Sequence, residues 1–128
     1  MIDYFNPPGL APRKTYSHGA VVPAGMRLVT IAGQVGNPPG GSIVEGFDGQ
    51  AEPAFDNLFT ALADIGMARE DLVRINVDLT DRANLAAYEG HFARRMGAVK
   101  PPDTLLIVAG LARAEYLIEI DAWAAKAD

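Results

Sequence analysis

The sequence predicts a single α+β domain over residues 1–128 with elements in the order ββαβαββ, and three observations carry that prediction. Val73, Ile75, Val77 and Leu79 alternate with Arg74, Asn76, Asp78 and Thr80, the two-residue period of a strand with one apolar face. Two segments, Gln50 to Met67 and Asp81 to Gly97, repeat their apolar residues every three or four positions, as helices do. The run Thr104 to Ala109, after Pro101-Pro102, is too short for an average helix and apolar on both alternating faces.

Val21 and Val22, the turn signal Pro23-Ala24-Gly25 and the β-branched run Leu28 to Ala32 predict an opening β-hairpin. Gly33, Gly36, Gly40 and Gly41 read as turn glycines, and Asn37-Pro38-Pro39-Gly40-Gly41 cannot continue a central strand. Ala54, Phe55, Leu58, Leu62 and Ile65 form the stripe of the first helix, stopped by Gly66, with Pro53 expected in or near its first turn. Asp81 is suited to cap the second helix, whose core stripe is Leu85, Tyr88, Phe92 and Met96, ending at Gly97. Thr104 to Ala109 is expected to be a central strand covered on both faces. Leu117 to Ala125 alternates again, with Ile118, Ile120 and Ala122 opposite Glu119, Asp121 and Trp123. Two helices cover only one face of such a sheet, so a neighbouring subunit is expected over the other.

Sixteen acidic and eleven basic residues give a formal charge of -5, no run of Lys and Arg is longer than two, and the pair Arg94-Arg95 is expected on a solvated helix face. Nucleic acid is therefore not an expected partner. With no cysteine there is no disulfide, thiolate metal site or cysteine nucleophile, and the expected compartment is the cytoplasm. The first residues lack the basic and apolar regions of an export signal. No apolar stretch approaches the ~20 residues that cross a bilayer, so no membrane association is expected.

His18 and His91 stand alone rather than in a ligand cluster, no serine lies in a nucleophile elbow, and no glycine set matches a phosphate loop. No metal is expected. Glu119, between Ile118 and Ile120, is either an edge-strand carboxylate facing water or, in a pocket between subunits, a desolvated acid suited to general acid-base work. Asp103 stands just before the preceding strand; antiparallel pairing of the two strands would bring the acids together, and an exposed turn would not.

Tyr16-Ser17-His18-Gly19, Ile31-Ala32-Gly33-Gln34-Val35, Gln50-Ala51-Glu52 with Asn57-Leu58, Asp71-Leu72-Val73-Arg74 through Thr80-Asp81, and Ile118-Glu119-Ile120-Asp121-Ala122 resemble, in order, the signatures of the RidA (YjgF-type) reactive-intermediate deaminase family. The resemblance covers about residues 7 to 125. It implies a chorismate-mutase-like fold, a mixed sheet with two helices on one face, and homotrimers with small-molecule clefts between subunits. It also implies hydrolysis of enamine or imine intermediates without a cofactor. Carried over position by position, it makes Glu119 the residue that orients the attacking water, and Tyr16, Ala32, Gly33, Leu85, Asp103 and Leu105 the lining of the ligand site.

The chain departs from the pattern at Asp103, where the deaminases have an arginine that grips the substrate carboxylate. An acid there reverses the sign of that contact. Ala32 replaces a common serine and Leu85 a pocket asparagine. The expectation is a RidA-like trimer that hydrolyses an imine, enamine or related C–N bond on a substrate other than the usual 2-imino acids. The alternative is a non-catalytic binding or regulatory module on the same fold. Asp103 and Glu119 are expected to point into one cleft with Tyr16 and Gly33 on its rim.

Overall fold

The computed structural model describes all residues from Met1 to Asp128. In chain order the elements are β1 (Asp3–Phe5), β2 (Gly19–Val21), β3 (Arg27–Val35), α1 (Phe47–Asp64), β4 (Leu72–Leu79), α2 (Leu85–Met96), β5 (Asp103–Ile107) and β6 (Ile118–Lys126). From β2 onward this is the expected ββαβαββ order, preceded by the short strand β1. Strands β3, β6, β4 and β5 lie in that order in one sheet. β6 is antiparallel to both its neighbours and β5 is parallel to β4, which makes the sheet mixed.

The alternation read in residues 73–80 decides which face is covered. Ile75, Val77 and Leu79 of β4 are buried with Ile118, Ile120, Ala122 and Ala124 of β6, because the register pairs Ile75 with Ala122 and Val77 with Ile120. Against them pack Phe55, Leu58 and Leu62 of α1 and Tyr88, Phe92 and Met96 of α2, all in one core. Each large apolar side chain so buried stabilises the fold by about 1.5–3 kcal/mol. Phe55 and Tyr88 stack with ring centroids 6.2 Å apart, tying the two helices together on the same face. No helix is long and apolar enough to cross a membrane.

Several expectations are corrected. The opening hairpin does not form: β2 pairs with β1, Phe5 opposite Gly19, and β3 pairs with β6 instead. Gly19 admits this because a Cβ there would lie 2.2 Å from the Phe5 ring. Helix α1 begins at Phe47, after Gly46 at φ 83°, so Pro53 falls in the second turn rather than the first. Asp81 caps through a single turn of 3-10 helix, Arg82–Asn84, accepting from Ala83 N at 2.9 Å before α2 begins. β5 is an edge strand, hydrogen-bonded only to β4, and leaves Leu106 55% and Ile107 38% exposed. Its apolar run marks a strand whose second side is uncovered within the chain. Arg95 is not on a solvated face: it binds Glu52 and Asp56 of α1 and lies over the Phe55 and Phe59 rings.

Two buried polar side chains brace the loops around the sheet. Gln50 donates to Val44 O at 2.9 Å and Glu115 O at 2.8 Å, and accepts from Leu117 N at 2.8 Å. It thereby fixes both the entry to α1 and the β5–β6 connection. His91 is buried between the helices with carboxylate oxygens at both ring nitrogens, Asp48 Oδ1 lying 2.7 Å from Nε2 and Glu52 at Nδ1. No group of three or more His, Cys, Asp or Glu residues is placed to hold a metal ion, and His18 contacts Ala11 O at 2.7 Å.

Candidate ligand site

The seven site residues predicted from the sequence fall into two sets on opposite faces of the sheet. The register makes this unavoidable. Asp103 pairs with Ile75 and Leu105 with Val77, which puts both on the helix-covered face. Glu119 pairs with Asp78 in β4 and Val35 in β3, and alternates with the buried Ile118 and Ile120, which puts it on the open face. β4 lies between β5 and β6, so the two acids are also two strand spacings, about 10 Å, apart across the sheet. The expectation that Asp103 and Glu119 enter one cleft is therefore corrected within a single chain. The antiparallel pairing that would have joined them does not exist, because β5 runs parallel to β4 and is not paired with β6.

On the helix side, Tyr16, Leu85, Asp103 and Leu105 line a cavity of about 130 Å³. Its remaining wall is Thr15, from the segment before β2, and Tyr88, Glu89 and Phe92 of α2. Asp103 is partly buried, makes no ion pair or side-chain hydrogen bond within the chain, and has its carboxyl pushed up to about 6 by burial, which the more distant Arg74 offsets in part. Tyr88 is 4% exposed and its hydroxyl has no hydrogen-bond partner. Burial, reinforced by the charges of Asp103 and Glu89, holds that phenol well above its usual range. The sequence placed Tyr88 in the core stripe, where its ring does lie. The signal that marks it as more is the hydroxyl, since a core position of this kind is ordinarily filled by Phe unless the oxygen has a partner.

On the open face, Ala32 and Gly33 lie in an irregular step of β3, between the Ile31–Ala122 and Gln34–Ile120 pairs. Gly33 leaves the space that the Glu119 carboxyl occupies: a Cβ would stand 2.6 Å from Glu119 Cδ. The Glu119 carboxyl thus rests against bare backbone. Burial raises its pKa first, and the neighbouring Asp78 and Asp121 raise it further. Asp78 is raised too, by burial and by Asp121, while Asp121 accepts from Asn76 Nδ2 at 2.8 Å. These flanking acids, invisible as a group in the sequence, come together because β4 and β6 run side by side. A carboxyl held above its usual pKa beside a strand backbone can take a proton from water and return it.

A four-stranded mixed sheet backed by two helices defines the class of small α+β proteins to which Rid proteins belong. The endoribonuclease L-PSP family model matches residues 8–126, and the chain belongs to that family, which includes the Rid and YjgF proteins. Among solved structures, a Rid-family protein of unknown function from Yersinia pestis, YyfB, superposes with a TM-score of 0.86 at 30% identity, covering 96% of this chain and 97% of that one. RidA from an Antarctic Psychrobacter superposes with a TM-score of 0.73 at 30% identity, covering 89% and 90%. In sequence, the mitochondrial protein Mmf1 of Saccharomyces cerevisiae is 29% identical over 103 residues, 80% of this chain and 70% of that protein. A RutC family protein of Aquifex aeolicus is 40% identical over 52 residues, 40% of this chain and 42% of that protein.

Proposed function

We propose that this Rid protein works as a homotrimer in which the two sets of site residues meet across subunit interfaces, forming clefts that hydrolyse a small imine or enamine other than the usual 2-imino acids. The observation that carries this reading is the seating of the Glu119 carboxyl against Gly33 on an open sheet face that no part of the chain covers. A cleft closed by the Tyr16 and Asp103 wall of a neighbouring copy would complete it. Glu119 accepts a proton from water as the oxygen attacks the C=N carbon. It then returns that proton to nitrogen to give a carbinolamine, and carries the carbinolamine's hydroxyl proton to the same nitrogen as the C–N bond breaks and the C=O bond forms, so that ammonia and a carbonyl compound leave. No cofactor takes part. Asp103 cannot serve as the cation that a carboxylate substrate requires, and this favours a neutral or cationic substrate. The net charge of -5 and the cluster of Asp78, Glu119 and Asp121 on the open face disfavour RNA as the substrate. A chain without cysteine suits the cytoplasm, where we place its action.

The test presents the protein with two imines made in situ. One is a carboxylate-free imine from oxidation of a primary amine; the other is a 2-imino acid from dehydration of serine or threonine. The expected result is accelerated ammonia release from the first and little from the second, with the acceleration lost by a factor of roughly 100 or more in Glu119→Gln. Ammonia release from neither, with a small molecule still held in the cleft, would favour the second reading, a non-catalytic binding module.

A further inference from the structure

We propose that the cavity beneath α2 is an ammonium pocket: it takes the protonated amine of a compact ligand, with Asp103 as counterion and the Tyr88 hydroxyl as a second acceptor. Four observations converge on that ligand. The wall contains two carboxylates, Asp103 and Glu89, and no lysine or arginine. The Asp103 side chain is partly buried and makes no ion pair or side-chain hydrogen bond within the chain, Arg74 reaching it only through its charge. The Tyr88 hydroxyl is buried without a partner, and an unmade hydrogen bond of that kind in a native interior calls for a missing donor or acceptor. Tyr16, Tyr88 and Phe92 supply aromatic rings around the same space, surfaces that favour a cation over a neutral group.

An ammonium has three N–H donors and no acceptor. It therefore satisfies a carboxylate and a phenol oxygen at once, which a carboxylate ligand cannot. The volume of about 130 Å³ is close to that of engineered cavities that hold benzene, so the pocket suits a group of about six heavy atoms. Leu85 and Leu105 would contact the ligand's alkyl part. The inference rests on the reading above that this cavity is one wall of the ligand cleft, and it names the group that wall selects.

The experiment titrates the full-length protein at neutral pH with butylammonium, 1-butanol and butyrate, following calorimetry and the methyl resonances of Leu85 and Leu105. The expected result is butylammonium binding at least tenfold more tightly than 1-butanol, a charge-assisted hydrogen bond being the difference, with butyrate not binding. Asp103→Asn should abolish the preference for the amine. Tyr88→Phe should weaken amine binding about tenfold while its melting temperature stays level or rises, since the change removes an oxygen the unliganded protein leaves unpartnered. Equal binding of amine and alcohol, a preference that survives Asp103→Asn, or no perturbation of either leucine by the amine overturns the proposal. The wild-type protein, assayed for both amine binding and ammonia release, separates the two readings. Amine binding that is intact in a protein releasing no ammonia from any imine leaves the pocket standing and removes the catalytic reading. Ammonia release from a carboxylate-free imine without amine binding does the reverse.

Discussion

At the scale of single residues, two carboxyls of similar composition have different surroundings and different consequences. Glu119 is raised by burial together with the charges of Asp78 and Asp121, so its proton affinity is set partly by neighbours that share its face. Asp103 owes its rise to about 6 to burial itself, against the pull of Arg74. A carboxyl whose folded pKa lies above its unfolded value of 3.8 binds its proton more tightly in the native state. Its effect on stability is therefore nil below about pH 4, grows more unfavourable as pH rises through 4 to 6, and is complete above 6. At full weight that shift is worth about 3 kcal/mol, and partial exposure to solvent reduces the expected effect to roughly 1–2 kcal/mol. Asp103→Asn is thus expected to be more stable than the wild-type chain by that amount at pH 7 and no more stable at pH 3.5. Urea denaturation at the two pH values checks it, and a variant less stable at pH 7 would show that the carboxylate has a partner.

At the scale of elements, the position of the open-face acids depends on how β3 leaves the sheet. The step at Ala32–Gly33 lets β3 keep its pairing with β6 while making room for Glu119. Just beyond it, Gly36 lies against Gln50, and a Cβ there would come 2.7 Å from the Gln50 Cα. Side-chain rotation can relieve the crowding of Gly33 against the far end of Glu119, but a backbone atom of α1 cannot move alone. Gly36→Ala should therefore press α1 away from the sheet and strain the three hydrogen bonds of Gln50. The expected cost is about 1–3 kcal/mol, a melting temperature lower by roughly 5–10 °C. Differential scanning calorimetry measures it, and an unchanged transition would mean that the loop before α1 yields more readily than the packing suggests.

For the whole molecule, the unevenness of its surface is the governing fact. One sheet face is sealed by α1 and α2, while the other exposes Trp123 to 42%, Leu28 to 55% and Leu106 to 55%. The last of these stands opposite Asp78, beside the Glu119 pair. These exposed apolar residues share one face, and the trimer proposed above would use it. Leu106→Glu places a fourth acid among Asp78, Glu119 and Asp121. It is expected to reduce a trimer to monomers without unfolding them, because the position is already half exposed. Light scattering with circular dichroism decides: a wild-type chain that is monomeric at micromolar concentration removes the intersubunit cleft altogether, and a trimeric Leu106→Glu moves the interface elsewhere.

The α+β class, the order of its seven principal elements, the core stripes on β4, α1 and α2, and the acidic balance were all determined by the sequence. Each follows from a local period or from a count, and local periods survive whatever the chain does at long range. The tertiary structure alone decided which strands are neighbours. Thr104 to Ala109 has the apolarity of a buried central strand, and only the parallel pairing to β4 makes it an edge. Asp103 and Glu119 were both expected at the site by resemblance. Their separation onto opposite faces comes from the insertion of β4 between β5 and β6, a non-local choice that alternation within either strand cannot express. Tyr88 lies at the same limit: its spacing assigns the ring to the core, but a hydroxyl without a partner is a property of everything packed around it.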